Sequence, residues 1–184
     1  MAGGESGGGA EERASLRRPL DLEPLLRVLA DHKIDFVVVG GYAVAAHGHV
    51  RATKDIDICP DPAEGNLRRL AAALAELEAE SIGLGEFTAG GEFDLAADFE
   101  GLRMGDNWTL MTKHGRLDVM QHLAGLGEDG GGWKELAPHA VKRAFLGLEC
   151  LFCSYEDLLR MKQSAGRPQD AIDVESLRAA RSEL

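Results

Sequence analysis

The order of patterns along the chain predicts an α+β protein, a β-sheet with helices packed against it. Phe36-Val37-Val38-Val39 is a β-branched and aromatic run that stops at Gly40-Gly41, as a short buried strand does. Asp55-Ile56-Asp57-Ile58 alternates acid and apolar, the period of a strand with one face in the core. Helical leucine patterns surround these strands, and hairpin patterns followed by two helical ones close the chain.

Each element has its own signal. Asp21 to His32 spaces Leu22, Leu25, Leu26 and Leu29 for one helix face, with Asp21 as N-cap. Tyr42 to His47 is short and Ala-rich and reads as a helix starting tightly against the first strand. Its N-terminal amides would point toward any anion over Gly40 and Gly41. Pro60-Asp61-Pro62 then breaks the extended chain, and Ala63 to Glu80 carries Leu67, Leu70, Leu74 and Leu77 on one helix face. Glycines punctuate Gly83 to Gly105, leaving short pieces such as Phe93 to Phe99. Asn107 to Thr112 and Arg116 to His122 read as two strands turning at Lys113-His114-Gly115, and Glu128 to Gly132 as a flexible loop. Val141 to Phe145 and Leu148 to Phe152 form a second hairpin, turning near Gly147. Ser154 opens a helix with Leu158, Leu159 and Met161, and Arg167-Pro168 starts the last one, carrying Ala171, Ile172, Val174 and Leu177.

A chain of 184 residues with 45% hydrophobic content can bury a core of its own. Residues 19–184 read as one domain, and Met1 to Arg18, rich in Gly, Ser, Glu and Arg, as a disordered tail. No segment has the length of a membrane span and the N-terminus lacks a secretory apolar stretch, so a cytoplasmic protein with no membrane partner is the expectation. A net charge of −11 opposes a surface that grips nucleic acid throughout but leaves room for a local basic patch. Cys150 and Cys153 have the spacing of a metal knuckle without a second pair to complete it. Strand alternation would send their sulfurs to opposite faces, so they and Cys59 read as buried structural cysteines.

The chemistry concentrates on aspartates. Period-2 geometry aims Asp55 and Asp57 at one sheet face while Ile56 and Ile58 enter the core. Two carboxylates side by side repel unless a cation neutralises them, which suggests a divalent metal site with oxygen ligands. Asp118, between Leu117 and Val119, joins them if its strand pairs beside that of Asp55. Three such carboxylates can hold two divalent ions about 3.5–4 Å apart, a spacing suited to in-line phosphoryl displacement. Mg²⁺ or Mn²⁺ suits such a site.

An apolar strand ending Gly40-Gly41, the 13 residues from Tyr42 to Lys54, Asp55-Ile56-Asp57 on the next strand and Asp118 on a later one resemble the DNA polymerase β-like nucleotidyltransferase superfamily, its minimal members above all. The resemblance implies the nucleotidyltransferase fold, a mixed sheet flanked by helices with two C-terminal helices, over residues 19–184. It implies that Gly40 and Gly41 approach the triphosphate, that Asp55 and Asp57 bind the metals, and that Asp118 completes the site and helps to activate the acceptor hydroxyl. Ser154 to Lys162, followed by Gly166 to Asp173, resembles the Lys-to-Asp motif of the AbiEii-type toxin nucleotidyltransferases, which adds Lys162 and Asp170 as nucleotide-binding candidates and a toxin-antitoxin partner protein. The implied reaction moves a nucleoside monophosphate from a nucleoside triphosphate, such as ATP, to an RNA end such as that of tRNA, a protein hydroxyl or a small molecule. The chain ends soon after the motif, without the larger helical C-terminal region of full-length toxins.

Plainer readings stand beside these. Thr53 and Lys54 precede the acids, and Lys54 either meets phosphate or balances local charge. Lys162 could lie on a solvated helix face, and Asp170, with Asp173 a little further in, could serve its helix's first turn. His47 and His49 suit a helix end and its exit loop better than zinc, and Trp108 and Trp133 suit burial better than stacking on a base. A silent binding protein on the same fold, or a phosphate-ester hydrolase, are the rival functions.

Overall fold

The computed structural model describes residues 18–83, 98–127 and 130–182. Its elements are α1 (Leu22–Asp31), β1 (Phe36–Val38), α2 (Gly40–Ala46), β2 (Asp55–Pro60), α3 (Glu64–Glu76), β3 (Glu80–Gly83), α4 (Phe99–Arg103), β4 (Trp108–Thr112), β5 (Gly115–Val119), α5 (Trp133–Leu136), a 3-10 turn (Ala137–His139), β6 (Val141–Phe145), β7 (Leu148–Phe152), α6 (Tyr155–Ala165) and α7 (Pro168–Ser182).

Among the described residues the strands form one mixed sheet in the order β3-β4-β5-β2-β1-β7-β6. β1 runs antiparallel to β2 and parallel to β7, and β2 runs parallel to β5. The hairpins β4-β5 and β6-β7 complete it, the second turning through Leu146 and Gly147, both at positive φ as a tight two-residue hairpin requires. Ile56, Ile58, Leu117 and Val119 enter one core with leucines of α1 and α3. Cys59, one register off, enters a second core with Val37 and Val38 of β1, Val44 of α2, Leu158 of α6 and Leu177 of α7. The strand alternation read from the sequence therefore sets which side of the sheet carries the acids.

Several boundaries differ from the sequence expectation. The helix expected to reach Glu80 ends at Glu76, because Glu78 turns to φ 53° and the chain reverses into β3, whose Glu80 pairs with Met111 of β4. Pro60 does not break β2 but ends it, opposite Phe36. Asp21 sits at the N-cap of α1 with no side-chain hydrogen bond, and its backbone N–H donates to the His114 carbonyl at 2.8 Å. Helix α2 begins at the glycines themselves. Of Phe93 to Phe99, residues 93–97 lie outside the described residues, as do Met1 to Arg17 and, in the expected flexible loop, residues 128 and 129. The far end of that loop is held: Gly131 bridges Leu123, and the Gly132 N–H donates to Glu135 at 2.8 Å.

Cys150 and Cys153 are buried and join Cys59 in the second core as free thiols, the structural cysteines that the sequence suggests. Burial pushes the Cys59 and Cys153 thiols up to about 12, which keeps them protonated. His47 spends its Nε2 on the Cys153 carbonyl at 2.8 Å. Trp108 is buried, and Trp133 packs against the second core.

The last helix buries Val174 and Leu177 of the apolar set read from the sequence, but sets two acids beside them in place of Ala171 and Ile172. Ile172 is 53% exposed, whereas Asp170, Asp173, Val174 and Leu177 are buried. Ile172→Ala is expected to change stability by less than about 0.5 kcal/mol in chemical denaturation. Leu177→Ala is expected to cost about 2–5 kcal/mol.

Candidate active site

The parallel pairing of β2 with β5 sets Asp55 opposite Arg116 and Asp57 opposite Asp118. With Ile56, Ile58, Leu117 and Val119 turned into the first core, these four charged side chains share the other face of the sheet. The three aspartates named from the sequence are thus brought together. Helix α2 approaches from β1, and Val39 N–H donates to the Asp57 carbonyl at 3.0 Å. Gly40 has φ 61°, and a Cβ there would lie 1.9 Å from Asp57 Oδ2. Only glycine lets the first turn of α2 press on this carboxylate. At Gly41 a Cβ would lie 2.6 Å from Thr53 Oγ1, and that hydroxyl lies 3.2 Å from Asp55 Oδ1, to which it donates. Lys54 is exposed and makes no ion pair among the described residues.

Burial pushes the Asp57 carboxyl up to about 7, helped by the charges of Asp118 and Asp55 and opposed by Lys162 and Arg116. Burial likewise raises Asp118, against the hydrogen bonds it receives from Arg116. The relief comes from a side chain the sequence reading passed over. Arg116 donates through Nε to Asp118 Oδ1 at 3.0 Å and through Nη2 to Asp118 Oδ2 at 2.8 Å, and its Nη1 lies 3.5 Å from Asp55 Oδ2. Among the described residues no three Asp, Glu, His or Cys side chains are grouped to hold an ion as they stand. The donor set nonetheless fits a hard divalent cation: oxygens only and an excess of negative charge, beside a glycine that adds no side chain against the Asp57 carboxylate. Asp55 and Asp57 have the oxygens to offer, while both oxygens of Asp118 accept from Arg116.

Lys162 and Asp170 lie on α6 and α7 and meet each other, Nζ to Oδ1 at 2.8 Å. Lys162 Nζ is also 2.9 Å from Asp173 Oδ2. Asp173, wholly buried, accepts from Arg51 Nε at 2.7 Å and Nη2 at 3.0 Å and from Gln169 at 3.1 Å. Arg167 closes the other side of Asp170 at 2.7 Å. Arg51 belongs to the segment between α2 and β2 that also carries Thr53, so this buried network fastens the loop of the candidate site to the C-terminal helices. Burial works to raise the Asp173 carboxyl, but hydrogen bonds from Arg51, Lys162 and Gln169 outweigh it and hold the group at about 2. Lys162 is therefore neither the solvated lysine of the plain reading nor a free cation, and Asp170 does more than serve its helix's first turn.

Arg116, which was overlooked, and Asp173, which was read only as a helix-start acid, both had a signal for these contacts. Arg116 stands two before Asp118 on a strand, hence on the same face. Asp173 stands three after Asp170 on a helix, hence beside it. Arg51 had none, since the segment carrying it has no period.

Asp173→Asn leaves Arg51 and Lys162 without their full counter-charge and is expected to cost about 2–4 kcal/mol at pH 7. A carboxyl at about 2 when folded, against an ordinary 3.8, stabilises above about pH 4 and loses that contribution as pH falls toward 2. In denaturant titrations the gap between wild type and variant is expected to narrow by about 2 kcal/mol from pH 5 to pH 2.

No protein-family model matches this sequence, and no curated protein sequence matches it. Solved structures do. The chain is similar to the lincosamide antibiotic adenylyltransferase LnuA in its lincomycin-bound crystal structure, with TM-score 0.58 and 14% identity over 89% of this chain and 99% of that one. It is also similar to TM1012 from Thermotoga maritima, a protein assigned as a nucleotidyltransferase, with TM-score 0.54 and 17% identity over 98% of each chain. At these identities the likeness speaks for architecture, and the architecture is the nucleotidyltransferase fold.

Proposed function

We propose that the protein is a metal-dependent nucleotidyltransferase that moves a nucleoside monophosphate from a nucleoside triphosphate, such as ATP, to an acceptor hydroxyl. The observation that carries this reading is the convergence of Asp55, Asp57 and Asp118 on one sheet face, with the backbone of Gly40 packed closely against Asp57. The acceptor oxygen forms a bond to the α-phosphorus, the bond from that phosphorus to the bridging oxygen breaks, and pyrophosphate leaves with the electron pair. The hydroxyl proton passes to a carboxylate, the role that the family resemblance gives to Asp118. Asp55 and Asp57, joined by Asp118, would hold Mg²⁺ or Mn²⁺, which would supply neutralisation of the triphosphate charge.

The chain's other residues then have defined tasks. Gly40 and Gly41 admit the triphosphate close to the backbone. Thr53 fixes the Asp55 carboxylate, and exposed Lys54 offers charge to a phosphate. Lys162, held by Asp170 and Asp173, acts on the site through its field at Asp57 rather than as a mobile phosphate ligand. The C-terminal resemblance to AbiEii-type toxins supports a cytoplasmic enzyme with a partner protein of toxin-antitoxin type. The acidic surface favours a small molecule, a protein hydroxyl or a single RNA terminus such as that of tRNA over a long nucleic acid. A second reading, a silent binding protein on this fold, is favoured by the saturation of Asp118 by Arg116.

Incubation with each α-labelled nucleoside triphosphate and Mg²⁺ or Mn²⁺, offering total RNA, protein, a lincosamide and an aminoglycoside, separates these readings. Label is expected in one acceptor fraction with equal release of pyrophosphate. Asp55→Ala, Asp57→Ala and Gly40→Ala are each expected to reduce transfer by about a hundredfold or more. Label in no fraction favours the silent binder, phosphate release from simple esters in a parallel incubation favours the hydrolase, and equal transfer by wild type and the Asp variants overturns the proposal.

A further inference from the structure

Arg116 is placed where the candidate site's chemistry would least predict a permanent cation. Its guanidinium lies flat against Asp118 with two hydrogen bonds of 3.0 and 2.8 Å and reaches to 3.5 Å from Asp55, so one side chain spans the outer members of the carboxylate trio. The pair is lopsided: the Arg116 side chain is 38% exposed, and that of Asp118 only 10%. The buried anion is fixed by the strand, while the cation reaches it on a flexible stem from the solvent side. Each carboxylate oxygen that accepts from the guanidinium has less to give a metal ion, and a second cation in the same place would be repelled. A phosphate, however, offers a guanidinium the same two-oxygen geometry as a carboxylate.

We propose that Arg116 is a positioning residue that serves as counter-ion to Asp118 and Asp55 before substrate binds, and that it transfers its hydrogen bonds to a phosphate of the incoming nucleotide as the carboxylates take up divalent cation. This rests on the phosphoryl-transfer reading of the site. Cation affinity then depends on nucleotide: the carboxylates are released to the metal when the triphosphate arrives to take the guanidinium. The exchange makes and breaks no covalent bond, and it leaves the three carboxylates with compensating positive charge at every stage. It also accounts for a trio that shares one face without being grouped to hold an ion as it stands.

Binding of Mn²⁺ to the full-length protein, followed by electron paramagnetic resonance with and without an α,β-non-hydrolysable ATP analogue, tests this without reference to turnover. Wild type is expected to bind Mn²⁺ about tenfold more tightly with the analogue present. Arg116→Met is expected to bind Mn²⁺ about tenfold more tightly than wild type without the analogue, to lose most of the nucleotide dependence, and to bind the analogue more weakly. Arg116→Lys, which keeps the charge without the two-pronged grip, is expected to lie between and serves if the Met variant does not fold. Mn²⁺ affinity unchanged in either folded variant overturns the proposal while leaving the nucleotidyltransferase reading intact. Absence of Mn²⁺ binding in wild type with the analogue, at the level of an Asp55→Asn, Asp57→Asn control, overturns both.

Discussion

Pairing β2 beside β5 in parallel register brings Asp57 level with Asp118 and Asp55 level with Arg116, and much of the rest of the molecule answers to that placement. Like charges brought together on a half-buried surface must be offset, and each neighbouring element contributes something to offset them. β5 supplies Arg116, the C-terminal helices hold Lys162 within electrostatic reach of Asp57, and the segment before β2 supplies the Thr53 hydroxyl. Helix α2 contributes by omission: the missing Cβ of Gly40 gives Asp57 Oδ2 the room it occupies. On the proposed reading the same arrangement takes up a cation and receives a phosphate, which is what nucleotidyl transfer asks of a protein scaffold.

A second layer of charge stands behind the first. Asp170 and Asp173 are as buried as core leucines, an expensive position for a carboxylate unless its partners are close and well aligned. Lys162 and Arg51 meet that condition, and in doing so they join three parts of the chain far apart in sequence: the segment before β2, α6 and α7. The C-terminal helices are thereby fastened to the segment that carries Thr53.

Much of this was legible in the sequence because periodicity encodes facing. The alternation of Asp55, Ile56, Asp57 and Ile58, and of Leu117, Asp118 and Val119, fixed which side chains could share a face, and Gly40-Gly41 marked the strand-to-helix turn beside them. Adjacency of the two strands was a conditional inference from the sequence, since pairing across about 60 residues leaves no local trace. β3 was missed because the helical leucine period runs to Leu77, which extended the expected helix to the first residue of the strand, Glu80. In α7 the apolar set read from the sequence included Ala171 and Ile172, which are exposed, while Val174 and Leu177 share the buried face with two acids whose partners include residues of other elements. Arg51 shows the limit most clearly: it comes from an irregular segment, and nothing local says that it will meet a carboxylate 122 residues away.

The central claim is that the Asp55-Asp57-Asp118 face and the Gly40 backbone form one receptor for a triphosphate and its cations. A crystal structure of the full-length protein grown with Mg²⁺ and an α,β-non-hydrolysable nucleoside triphosphate tests it most directly. The account predicts the triphosphate over Gly40 and Gly41, with metal density on Asp55 and Asp57. A nucleotide bound elsewhere, with Asp55 and Asp57 free of metal, would contradict it.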